Sequence, residues 1–415
     1  MSFAISWAGS MSEWITLPLA ELMTFREGPG VLAKDFHAQG VPLIRLAGLK
    51  EGAGLLKGCN FLDPELVSTR WSQFRLALGE VLLSSSASLG EVATVDHAAV
   101  GAVPYTGIIG FRARDGRLCQ RFIPFVLTAP TFKRQIQAMG VGSVMRHFGP
   151  SHLRQMNVSI PPINDQEGIA DVLGALDDKV AANTKLVALL SENLEASFTS
   201  IVREPESFVA FSDLATVTKG VSYRSVDLVD SRTALVTLKS FDRTGGYSAR
   251  GLKDYAGPYK PVQQIHPGEI VVAQTDLTQA AEVVGRAIRV PASRNHETLV
   301  ASLDLAIVRP VTGVPVEFIL GLMLQGRFRT HCKSRTSGTT VLHLASAAIP
   351  TFSAPRVSAV VQQHYASVAL PMLEMSDSLT SESEALSATR DALFPALMSG
   401  KLRVRDAEKV LEGVL

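Results

Sequence analysis

Lys239-Ser-Phe-Asp-Arg-Thr-Gly-Gly246 sets two cations, Lys239 and Arg243, in a glycine-rich turn, with Arg250 and Lys253 close behind. Arg327, Arg329, Lys333 and Arg335 lead into Thr336-Ser-Gly-Thr-Thr340, whose hydroxyls and backbone amides can bind phosphate. Arg112, Arg114, Arg117 and Arg121 repeat the theme earlier, and Arg146-His147 follows the Gly142-Ser143 step. In Lys219-Gly-Val-Ser-Tyr-Arg224, Tyr223 either packs on a sugar or phosphate or covers a core. Cations on phosphate give salt-sensitive, sequence-blind affinity. An Arg bidentate to guanine, or an Asn or Gln to adenine, adds about 1–3 kcal/mol of discrimination. The candidate DNA-binding set is therefore Arg112, Arg114, Arg117, Arg146, His147, Tyr223, Arg224, Lys239, Arg243, Arg250, Arg335, Thr336, Ser337, Thr339 and Thr340. For any one arginine, a solvated surface charge is the competing explanation.

Catalytic patterns are missing. There is no GxxxxGK[ST] phosphate loop and no GxSxG elbow around the serines at 84–88. Asp63-Pro-Glu65 lacks the second proline and aromatic of an amino-methyltransferase motif, and His152, His343 and His364 have no neighbours at metal-ligand spacing. The expectation is no catalytic residue, no metal and no cofactor on this chain. Cys59, Cys119 and Cys332 are odd in number and far apart, which fits a reducing cytoplasm rather than a disulfide framework. No apolar run approaches the roughly 18 residues of a membrane span, and the N-terminus lacks the pattern of a secretory signal.

The elements that must position these cations come into view when the charge is resolved along the chain. A net charge of +1 over 415 residues conceals an alternation. Residues 1–162 hold 15 basic against 11 acidic side chains, 163–204 hold 3 against 8, 205–355 hold 16 against 12, and 356–415 hold 6 against 8. A long internal repeat runs with it. Glu21-Leu22 matches Asp213-Leu214; the strand-and-turn pattern of 42–54 matches 234–246; Gly79-Glu-Val-Leu-Leu-Ser84 matches Gly268-Glu-Ile-Val-Val-Ala273. Ile108-Ile-Gly-Phe-Arg112 then matches Leu305-Ala-Ile-Val-Arg309, and Gly142-Ser143 matches the turn at Ser337-Gly338.

The acidic segments read as helices. Ile169, Leu173, Leu176, Val180, Asn183, Val187, Leu190, Leu194, Ser197 and Ile201 recur in steps of three and four, a heptad seam. A weaker seam runs through Met372, Met375, Leu379, Glu382, Leu386, Thr389 and Leu393, with Pro371 expected to kink or begin that helix. Asp165 to Arg203 alone would be roughly 58 Å of helix, a length that usually needs a partner. The helix-pairing candidates are Leu176, Asn183, Leu190 and Leu194 with Leu379, Leu386 and Leu393, and a buried Asn183 would fix register. The expected fold is α+β: two repeated mixed α/β modules (1–162 and 205–355) joined by two long antiparallel coiled-coil helices (163–204 and 356–415), with pseudo-two-fold symmetry.

Ile160-Pro-Pro-Ile-Asn-Asp-Gln-Glu-Gly-Ile-Ala-Asp-Val-Leu-Gly-Ala-Leu-Asp-Asp-Lys-Val180 resembles the proline-to-helix junction of the DNA-specificity subunits of type I restriction-modification enzymes. Ala392-Leu-Phe-Pro-Ala-Leu-Met-Ser-Gly-Lys-Leu-Arg-Val404 is similar to the end of their distal conserved region, and Ser337-Gly-Thr-Thr-Val-Leu-His-Leu344 to a Ser-Gly turn in their target-recognition domains. Asp165-Gln166 stands where that family usually has Glu-Gln, and the second junction, Ala354-Pro-Arg356, lacks the double proline. The resemblance implies two target-recognition domains, each reading half of a split double-stranded DNA site, with the helices setting the unread spacer. It also implies partners: two methyltransferase subunits docked on the helices, and motor-nuclease subunits, carrying S-adenosylmethionine, ATP and Mg between them. A coiled-coil scaffold whose modules bind proteins is the alternative. Salt-dependent binding of mixed-sequence duplex separates the two.

Overall fold

The computed structural model describes residues 14–413 except 51–53, 87–88, 139–146, 204, 206, 242–245 and 277–280. The chain divides into two compact units, one of residues 1–179 with 386–415, the other of residues 180–385.

In the first unit the apolar run Val81–Ser84 is buried at every position, as a strand covered on both faces must be. It is central in an antiparallel sheet of order Met23–Glu27, Ile108–Ala113, Val81–Ser84, Val92–Thr94. Gly79 at φ 75° turns the chain into that strand. A second sheet sets Val41–Ile44 antiparallel to Asn60–Leu62 and parallel to Val103–Pro104. Ile15–Pro18 pairs with Asn157–Ile160.

The second unit repeats this plan. Ile270–Ala273, fully buried and entered through Gly268 at φ 90°, is central in the order Ala215–Lys219, Leu305–Pro310, Ile270–Ala273, Ala287–Arg289. Thr233–Val236 runs antiparallel to Lys253–Asp254 and parallel to Thr298–Ala301. Ser207–Ala210 pairs with Ser353–Arg356. The repeat read in the sequence is thus a repeat of strand order.

Both long helices form. The central helix spans Ile163–Ile201, 39 residues, and starts directly after Pro161-Pro162, where a missing N–H costs nothing. Gln166 is fully buried: its side chain accepts from Cys119 N at 2.9 Å and donates to Arg117 O and Pro161 O at 2.9 Å. This ties the helix start to the first module.

The distal helix spans Ala359–Met398. It begins twelve residues before Pro371, so the expectation of a start there is corrected. Pro371 lies on an exposed face, while Ala366, Ala369 and Leu373 around it are buried. Their packing outweighs the roughly 3 kcal/mol that an interior proline costs.

The helices meet within each unit. In the first, Arg390 Nη1 bonds Asp177 Oδ1 at 2.7 Å. In the second, Asn183 Nδ2 donates to Glu382 Oε2 at 2.7 Å and Tyr365 OH to Leu194 O at 3.2 Å. In the second unit partner numbers fall along one helix as they rise along the other, so the pairing there is antiparallel.

Candidate nucleic-acid interface

In the first module Arg112, next to last in the strand Ile108–Ala113, turns back on Glu80, Nη2 to Oε2 2.6 Å, while donating to Arg75 O at 3.2 Å. Glu80 also accepts from Ala77 N in its own turn. The second module repeats the device: Arg309 holds Glu269 at 2.6 Å and the carbonyls of Val262 and Gln264, and Glu269 accepts from His266 N. A feature present in both modules at matching strand positions is a clamp between the sheet and the segment that leads into it. Arg117 is chelated by Asp115 at 2.9 Å, and this hydrogen bonding holds the Asp115 carboxyl below the usual carboxylate range. Arg121 pairs with Asp171 on the central helix. Arg114 is exposed, and its backbone N–H donates to Leu22 O. His147 is exposed with Nε2 3.9 Å from Glu27 Oε1. Arg146 and the Gly142-Ser143 step lie outside the described residues.

In the second module three groups of the sequence-derived residues come together locally. Lys239 sits in the turn Leu238–Ser240 and Arg250 in the turn Ala249–Gly251, both exposed. The turns are laced by Ser248 N to Ser240 O at 2.9 Å and Thr237 Oγ1 to Gly251 O at 2.8 Å. A Cβ on Gly251 would lie 2.0 Å from Ser240 N, so only glycine permits this approach. Arg243 falls outside the described residues. Tyr223 is half-buried under the Lys253 ammonium, 5.9 Å from its ring centre. Arg224 beside it is largely exposed, 3.5 Å from Asp227. The third group is a hairpin: Thr336–Ser337 pairs with Leu342–Leu344, and the exposed residues Ser337 to Thr340 form its tip. Gly338 at φ 126° makes that tip possible, and a Cβ there would meet Val341 O at 2.0 Å. Thr336 Oγ1 is used locally, donating to Lys333 O, and Arg335 donates to Ser334 Oγ and His331 O.

Of the helix residues, Leu176, Asn183, Leu194, Leu386 and Leu393 are buried and Leu190 and Leu379 half-buried. The second module meets the distal helix through polar groups: Arg289 pairs with Asp377 and Arg294 Nε donates to Ser381 Oγ at 2.8 Å. Burial pushes the Asp377 carboxyl up despite the adjacent guanidinium. Replacing Asn183 with Ala removes a hydrogen bond to a carboxylate, and an expected loss of about 1–3 kcal/mol would show as a lower denaturation midpoint.

Sequence reasoning missed three arginines of the first module. Arg26 lies 5.4 Å from the ring centre of Phe74, Arg45 4.0 Å from Tyr105 and 5.8 Å from Phe36, and Arg70 5.1 Å from Trp71. Arg70-Trp71 are sequence neighbours, but nothing local links Arg45 to a tyrosine sixty positions away. Among the described residues no group of three or more His, Cys, Asp and Glu could hold a metal ion, and no helix is long and apolar enough to cross a membrane.

Residues 11–191 match the family described as type I restriction modification DNA specificity domain. The chain is similar in fold to the type I restriction-modification system S subunit from M. genitalium, with 14% identity, 96% of this chain and 99% of that one covered, and a TM-score of 0.57. The HsdS subunit from Thermoanaerobacter tengcongensis aligns at 13% identity over 94% of this chain and 97% of its own, with a TM-score of 0.33. No curated protein matches the chain in sequence.

Proposed function

We propose, from the match of residues 11–191 to the type I restriction modification DNA specificity domain, that the chain as a whole is a two-module DNA-specificity subunit. The observation that carries this reading is the duplicated strand order: the second unit, beyond the matched segment, orders its strands as the first does. Each module reads one half of a bipartite target in double-stranded DNA. The cationic turns at Lys239, Arg250 and Arg335 supply phosphate contacts, and groove-edge contacts supply discrimination.

The chain itself carries no catalytic centre. Methylating an adenine inside a duplex requires the base to be flipped out, and that chemistry, with S-adenosylmethionine, resides on two methyltransferase subunits docked on the helices. ATP and Mg belong to the motor-nuclease subunits. Acidic helices suit a protein partner better than DNA. Leu186, Leu189, Leu370 and Met375 are exposed apolar side chains on the two helices, which supports docking there. The chain passes between its units only inside these helices, which supports a role for them in setting the spacing of the half-sites.

Mapping methylated adenines in DNA from cells that carry this chain with its modification partner tests the reading. The expected result is two short half-sites at a fixed unread separation. Methylation at an undivided site, or without sequence preference, would contradict it.

A further inference from the structure

A guanidinium that is salt-bridged has spent its charge, because a phosphate must displace the carboxylate before it can bind. A guanidinium stacked on an aromatic ring keeps its full charge and whichever N–H donors the backbone does not take, while the ring limits its plane. By that criterion two groups of three stand apart among the arginines of the first module. Arg112, Arg117 and Arg121 are paired with Glu80, Asp115 and Asp171. Arg26, Arg45 and Arg70 lie on rings and have no acidic partner among the described residues.

The rings beneath those three belong together. Phe36, Phe74, Trp71 and Tyr105 all pack in one apolar cluster with Val31, Leu43, Leu62, Val67 and Val103. The backbone joins them into a strip. Phe74 N donates to Trp71 O at 2.9 Å, and Arg26 Nη1 donates to Gln73 O. Two residues beyond Arg26, Gly28 lies against the carbonyls of Pro104 and Tyr105, where a Cβ would sit 2.2 Å from Pro104 O. Tyr105 N in turn donates to Ile44 O at 3.0 Å, beside Arg45. The order along the strip is Arg70, Arg26, Arg45.

We propose that Arg26, Arg45 and Arg70, stacked on Phe74, Tyr105 and Trp71, form the backbone-binding strip of the first module for duplex DNA. The proposal rests on the DNA-reading function and names where that reading is made. Arg112 then acts as the clamp that fixes the strand beside the strip rather than as a DNA contact.

The test is titration of the full-length chain with a mixed-sequence duplex over a range of salt. Each phosphate contact contributes about 0.9 to the slope of log K against log salt. The triple variant Arg26→Gln, Arg45→Gln, Arg70→Gln should lower the slope by about 2–3 and weaken binding on the order of 10²-fold at 0.1 M salt. Replacing all three with Lys should retain most of the slope. Arg232→Gln, which removes an exposed cation already paired with Glu297 at 2.8 Å, should leave it unchanged. A wild-type slope in a triple Gln variant that melts like the parent would overturn the strip while leaving the DNA-reading function intact. A wild-type chain with no salt-dependent binding would overturn both. If the triple variant does not fold, the three single Gln variants decide: each should lose about 0.9 of slope, and no loss in any of them refutes the proposal.

Discussion

Excision of residues 180–186 together with residues 379–385 is expected to move the accepted separation of the two half-sites by about three base pairs, with the bases read left unchanged. Seven residues of helix are roughly 10 Å, against about 3.4 Å per base-pair step. The two cuts are matched. Asn183 and Glu382, which bond each other, lie at the middle of the excised heptads. On one side the Asp177–Arg390 pair survives, and on the other the bond from Tyr365 to Leu194. The helix seam is therefore shortened by one full repeat without a change of face. On the original target only one module could then engage, and affinity should fall toward the non-specific level, a loss of about 10³-fold or more. Selection from random duplexes reads both quantities at once. Unchanged spacing would mean that something other than the helices sets it. Excising a heptad from one helix alone should instead leave the seam out of step and destabilise the chain.

What the sequence disclosed follows from which interactions are local. The buried strands Val81–Ser84 and Ile270–Ala273 announce themselves as short apolar runs behind a glycine, and both lie where the repeat places them. The central helix, expected from Asp165 to Arg203, is observed from Ile163 to Ile201, because periodicity and the Pro161-Pro162 stop are legible within one stretch of chain. Arrangements between distant residues were not legible. Nothing near Arg112 in the chain indicates that its charge is taken by Glu80, 32 positions earlier, or that Arg45 stacks on Tyr105. The basic clusters marked the modules as cationic, but which cations are spent and which remain available is decided by tertiary pairing. The role of Gln166, noted only as part of the junction motif, was hidden for the same reason. As a sequence letter it is an ordinary helix residue, and only the fold shows it buried with three backbone partners. A helix start at Pro371 is not observed, because the propensity of one residue was set against packing that periodicity alone does not weigh.

The second large effect is expected at Phe198, where three elements of the second unit converge. Its ring, 3% exposed on the central helix, lies 5.4 Å from Phe318 of the helix Val316–Leu324 and 5.0 Å, edge-on, from Tyr365 of the distal helix. Gly321 makes room for this, since a Cβ there would lie 2.5 Å from the tyrosine ring. The Tyr365 hydroxyl closes the group on Leu194 O, and burial pushes its pKa up, so it stays a donor. Phe198→Ala leaves a cavity among rings that cannot collapse into it, at a cost of about 3–5 kcal/mol. Phe198→Leu, which keeps most of the volume, should cost far less, and Tyr365→Phe only about 1 kcal/mol. The placement of tryptophans makes the test specific: Trp7, Trp14 and Trp71 all fall within residues 1–179, in the first unit. In urea, the Phe198→Ala change should shift the part of the circular-dichroism transition that belongs to the second unit, while the tryptophan-fluorescence transition stays in place. An equal shift in both would mean that the two units unfold as one. No shift in either would remove Phe198 as the anchor of the second module on its helices.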